Sequence, residues 1–102
     1  MTMDELTKLK REYMRSLPAR LEMIEQLMQR GDARSREEAI SILHKIHGTA
    51  GSYDLDDISE MAGDCEEHLR SNPSAGDAVE TVKACLKGIR KSLGEASAIR
   101  SE

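Results

Sequence analysis

An all-α fold, an antiparallel four-helix bundle with an additional N-terminal helix, follows from three observations on the 102-residue chain. Apolar residues recur at helical spacing along most of its length, and no stretch alternates in the manner of a half-buried strand. The core must also be built almost without rings. The chain has 2 Tyr, no Phe and no Trp, so Leu, Ile, Met, Val and Ala carry the hydrophobic content of 38%. Short connections between amphipathic helices then favour antiparallel neighbours.

Leu6, Leu9, Tyr13 and Leu17 form a first apolar stripe, and Leu21, Ile24, Leu27 and Met28 resume it up to Gly31. Pro18 stands between them and reads as a kink or a short corner where two helices abut. Ser35 followed by Glu38 has the form of a capping box, and Ala39, Ile40, Leu43, Ile46, His47 and Ala50 mark one face of the next helix, ending near Gly51 to Tyr53. Asp54 is expected to cap a helix whose stripe is Leu55, Ile58, Ala62, Cys65 and Leu69, ending before Ser71-Asn72-Pro73. Ser74 is expected to cap the last helix, with Val79, Val82, Leu86, Ile89 and Leu93 on one side. The sequence thus reads as one domain over residues 1–102, a bundle from about 4 to 94 and a polar tail, 95–102, that frays after Gly94.

Composition excludes several classes of function. A net charge of −4 and the scarcity of aromatic side chains argue against a nucleic-acid platform, which needs a basic face and stacking rings. No apolar run approaches the ~20 residues of a membrane span, and Met1 leads into Asp4, Glu5 and Lys8 without the pattern of a secretion signal, so a cytoplasmic protein is expected. Cys65 and Cys85 form no C-x-x-C pair and read as reduced, half-buried thiols. His44 and His47 with Cys65 or Glu66 fall short of a recognisable metal-ligand pattern, so neither metal nor cofactor is expected. His68 and the carboxylates between Asp54 and Glu67 read as solvated faces.

Chemistry concentrates on the helix that carries Leu43. At about 100° per residue, with Leu43 facing the core, His44, Gly48 and Gly51 fall on a second stripe roughly 80° to 140° away, bordered by Ser41. Two glycines inside a helix cost about 1 kcal/mol each relative to alanine, and close approach of another protein to the imidazole is one reason to keep them. Helix packing is the other. Glu66 lies at the edge of the following helix's apolar stripe, from where its carboxylate can accept a hydrogen bond from one nitrogen of His44 and leave the other nucleophilic.

The run Leu43-His44-Lys45-Ile46-His47-Gly48-Thr49-Ala50-Gly51-Ser52-Tyr53, followed by Leu55, Ile58 and Cys65-Glu66, resembles the signature of histidine-containing phosphotransfer (HPt) domains. Leu17-Pro18-Ala19-Arg20-Leu21 resembles their first-helix region, so the likeness extends from about Leu6 to Leu93. The resemblance implies a helical bundle and a phosphocarrier in a His-Asp phosphorelay, in which His44 accepts a phosphoryl group from a receiver-domain aspartate and passes it to another. It further implies His47 and Glu66 as supporting residues and a docking surface of Ser41, Lys45, Gly48 and Gly51. Partners would be receiver domains of response regulators or hybrid histidine kinases, with no nucleic acid and no membrane, and the protein itself a monomer without autonomous kinase catalysis.

Two departures stand out. The family usually has Lys where His47 stands and Gly where Asp54 stands. An imidazole carries a full charge only in acid, whereas Lys is charged throughout, so transfer is expected to depend on pH. Asp54 is expected to act as an N-cap in place of a glycine turn. The competing readings are a passive helical adaptor, with the glycine stripe docking a partner helix, and the phosphotransfer segment of a chemotaxis-type histidine kinase. The start at Met1 and the polar tail favour a free-standing protein.

Overall fold

A computed structural model describes residues 3–71 and 76–100, with side chains over 4–71 and 79–96. Four helices make up the described chain: α1 (Met3–Arg30), α2 (Ala33–Ser52), α3 (Asp56–Ser71) and α4 (Gly76–Arg100). Each packs against two others in ring order, α1 on α2 and α4, α3 on α2 and α4. At about 1.5 Å per residue the 28-residue α1 is roughly 42 Å long, which sets the 45 Å long axis of the molecule. Leu17, Leu21, Ile24 and Leu27 of α1, Leu43 and Ile46 of α2, Ile58 and Leu69 of α3 and Leu86 and Ile89 of α4 meet in the fully buried core. At the loop end of that core Tyr13 stacks on Tyr53, centroids 5.3 Å apart, with the Arg20 guanidinium over the Tyr13 ring.

Four local expectations change. The additional N-terminal helix is not separate, because α1 runs unbroken through Pro18. An interior proline costs about 3 kcal/mol or more. Pro18 is exposed while Tyr13, Met14, Leu17 and Leu21 on either side of it are buried, so packing holds one continuous element together. The N-cap of α2 is Asp32, not Ser35: its carboxylate accepts from the Ser35 backbone N–H at 3.1 Å and from the Ser35 hydroxyl at 2.7 Å. Those hydrogen bonds hold the Asp32 carboxyl below its ordinary range. Gly94 does not end the last helix, which continues to Arg100 with Ala96 packed against the core. The expected cap at Ser74 lies outside the described residues.

The fourth change concerns the turn that aims α3. Asp54 is not an N-cap; it adopts the left-handed conformation, φ +61°. Leu55 N–H donates to Ala50 O at 2.9 Å and Asp54 N–H to Gly51 O at 3.3 Å, the paired bonds of a Schellman ending, with Leu55 and Ala50 both buried. The chain therefore keeps the geometry that a glycine favours while placing an aspartate there.

Candidate functional site

Antiparallel packing of α2 on α3 builds the site. Gly51 lies against Ser59, His47 against Ser59 and Gly63, and His44 against Glu66, so each step toward the start of α2 is matched by a step toward the end of α3. At Gly51 a Cβ would sit 3.3 Å from Ser59 Oγ, so its bareness serves the approach of the two helices. Gly48 differs. Nothing lies within 4 Å of where its Cβ would be, and the helix there presents bare backbone to solvent one turn past His44.

The His44 side chain is 66% exposed, whereas that of Glu66 is 12% exposed and turned toward α2. His44 Nδ1 lies 3.2 and 3.1 Å from the two Glu66 carboxylate oxygens. Burial works against ionising Glu66, but hydrogen bonds from Arg70 and His44, together with their charge, outweigh it and hold the carboxyl below the usual glutamate range. An ionised carboxylate only accepts, so Nδ1 carries a proton, and in the neutral ring the lone pair is on Nε2. Arg70, one turn further along α3, donates from Nε at 2.9 Å and from Nη2 at 2.8 Å to Glu66 Oε2. Sequence reasoning missed Arg70. Its signal was the spacing of four from Glu66, which on a helix puts cation and carboxylate side by side.

His47 is engaged differently. Its Nδ1 donates to the carbonyl of Ser59 at 2.7 Å, and Ser59 Oγ donates back to the His47 carbonyl at 2.6 Å. The ring lies over Gly63, where a Cβ would come within 2.7 Å of Nδ1 and 2.9 Å of Cε1. Ser59 and Gly63, which nothing in the sequence singled out, thus form a seat for the imidazole on α3. Ser41 and Lys45 are exposed on the His44 side of α2, and Glu37, Ile40, Ser41, His44 and Arg70 line a shallow depression of about 390 Å³. A larger concavity of about 510 Å³, lined by Lys10, Asp54 to Ile58, Ser92, Glu95 and Ala96, has no histidine in its lining.

Cys65 is fully buried and Cys85 half-buried, both as free thiols; burial, with Cys85 beside it, pushes the Cys65 thiol far up and leaves it inert. His68 is half-buried and has a partner of its own, in place of the solvated position expected. Among the described residues no group of His, Cys, Asp and Glu is placed to hold a metal ion, and no helix is long and apolar enough to cross a membrane.

A solvent-facing imidazole oriented by a carboxylate, on a helical frame stripped of bulk beside it, is the arrangement of a phosphotransfer module. The pattern of the Hpt domain family matches residues 8–92, most of the chain, and the protein belongs to that family. Members of the family are phosphotransfer modules of His-Asp phosphorelays that work with receiver domains, not autonomous kinases. Comparison with curated proteins and with solved structures gave no match.

Proposed function

We propose that the protein is a phosphocarrier in which His44 takes a phosphoryl group from a receiver-domain aspartate and returns it to another. The single observation that supports this most is the His44–Glu66 pair, with Nδ1 tied to the carboxylate and the ring exposed. The lone pair of His44 Nε2 attacks the phosphorus of the aspartyl phosphate, the N–P bond forms as the P–O bond breaks, and the receiver's carboxylate leaves. The Nδ1 proton stays in place. The ring gains positive charge as the bond forms, and the Glu66 carboxylate at 3.1 Å stabilises it. Return transfer is the same step in reverse.

Ser41, Lys45 and Gly48 form the surface on which the receiver sits, with Gly48 keeping the approach open. Gly51 borders that surface, and its small size also admits Ser59. His47 supports the site by joining α2 to α3 one turn from the nucleophile. Residues 1–102 act as one monomeric module in the cytoplasm, without cofactor. The reading is tested by incubating the protein with a receiver domain carrying aspartyl phosphate and asking for acid-labile, base-stable phosphate. The His44→Gln protein should keep its helical circular dichroism and accept none, and undiminished labelling of that variant would sink the assignment.

A further inference from the structure

We infer that Arg70 is the cation that meets the phosphoryl group on His44, in place of the lysine that would stand at position 47. The inference rests on the phosphocarrier reading above. Phosphoryl transfer spreads negative charge over three equatorial oxygens, and a neighbouring N–H donor of positive charge stabilises them. At position 47 that charge is not on offer in the usual way. A lysine has a four-carbon stem that can swing to the phosphoryl group, whereas the His47 imidazole is seated on Gly63 with its Nδ1–H committed to the Ser59 carbonyl.

Arg70 is on the other flank. Its guanidinium and the His44 ring share one atom, Glu66 Oε2, reached from 2.8 Å by Nη2 and from 3.1 Å by Nδ1. Nε and Nη2 are anchored there, which fixes the plane of the group. Further N–H donors on the far edge of the guanidinium are left for an anion. Arg70 and His44 line the same depression, and Arg70 is the one cation among its lining residues, Glu37 at the rim being a carboxylate. The Arg70 side chain is 59% exposed and that of His44 66%, so both are open to an anion that enters the depression they line. No bond to Arg70 is made or broken; it donates hydrogen bonds while the N–P bond forms.

The test uses phosphoramidate, which loads histidine without a protein partner. His44 Nε2 attacks phosphorus, the P–N bond of the reagent breaks, and ammonia leaves after taking a proton from water. Loading rates of His44 would be compared for the unmodified protein, Arg70→Ala, His47→Lys and the double variant. Arg70→Ala should slow loading about tenfold, and His47→Lys should restore most of that loss in the double variant by returning a cation to the usual place. A role of Arg70 confined to orienting Glu66 is separated by Arg70→Gln, which keeps an N–H donor for Glu66 and loses the charge, and which the inference requires to load about as slowly as Arg70→Ala. Loading of Arg70→Ala within twofold of the unmodified protein, no rescue by His47→Lys, or loading of Arg70→Gln at the unmodified rate would each overturn the assignment. None of these results touches the phosphocarrier reading, which is tested separately by transfer from a receiver to His44 and to the His44→Gln protein.

Discussion

Asp54→Gly should stabilise the protein without changing its chemistry. Asp54 occupies the left-handed region at φ +61°, where a residue with a Cβ is strained by about 1–2 kcal/mol and glycine is not. Aspartate tolerates this conformation better than most residues, and its charge just ahead of α3 favours the positive end of that helix, so part of the gain is offset. The net expectation is about 0.5–1 kcal/mol. For a domain of this size 1 kcal/mol moves Tm by roughly 4–8 °C, so the variant should melt about 2–8 °C higher. Asp54→Ala, which keeps the strain and loses the charge, should melt lower than the unmodified protein. Thermal melts followed by circular dichroism at neutral pH decide both. The bonds Leu55 N–H to Ala50 O and Asp54 N–H to Gly51 O are backbone bonds and survive either substitution, which isolates the φ term. A fall in Tm for Asp54→Gly would refute the Schellman reading of this turn.

Gly48→Leu should gain about 0.8–1 kcal/mol of helix propensity and yet block transfer from a receiver, because the new side chain occupies open space next to His44; unchanged transfer and receiver affinity would end the docking role of this glycine. Glu66→Gln should lower Tm at pH 7, and the gap should close in acid. A carboxyl whose folded pKa is depressed contributes stability that is complete above its unfolded value and is lost as pH falls through the folded one, so an unchanged gap between pH 7 and pH 3 would contradict the ion-pair account. Among the described residues the buried Tyr13 hydroxyl has no hydrogen-bond partner, and burial raises its pKa against the opposing charge of Arg20, with Tyr53 adding to the rise. Tyr13→Phe should therefore raise Tm by an amount corresponding to about 1 kcal/mol, read from the same melts, and a drop would show that the hydroxyl is satisfied in solution.

Periodicity carried the fold, since every residue of the Leu55, Ile58, Ala62, Cys65 and Leu69 stripe is buried, as are Leu43, Ile46 and Ala50. Local signals were weaker wherever packing or a competing cap decides. Pro18 announces a break by its chemistry, but the helix continues because the residues around it are core residues whose burial outweighs one missing hydrogen bond. Asp32 and Ser35 are both good caps three residues apart, and the backbone selects the first, turning the second into a donor to it. Asp54 reads as a helix start because aspartate is common there; its left-handed φ is imposed by the Schellman bonds. In the site, the edge position of Glu66 was enough to bring it to His44. The seat of His47 was not legible, because Ser59 and Gly63 matter only through the register between α2 and α3, which no single helix encodes.

The central claim is that His44 is the residue that carries the phosphoryl group, and the sequence allows that to be measured directly. Trypsin cleaves after Arg36 and Lys45, so His44 is the one histidine in peptide 37–45, while His47 and His68 fall together in peptide 46–70. After incubation with a receiver domain carrying aspartyl phosphate, digestion at mildly alkaline pH and mass spectrometry should find the added phosphoryl group on peptide 37–45. Phosphate confined to peptide 46–70, or absent from both while the receiver stays charged, would contradict it.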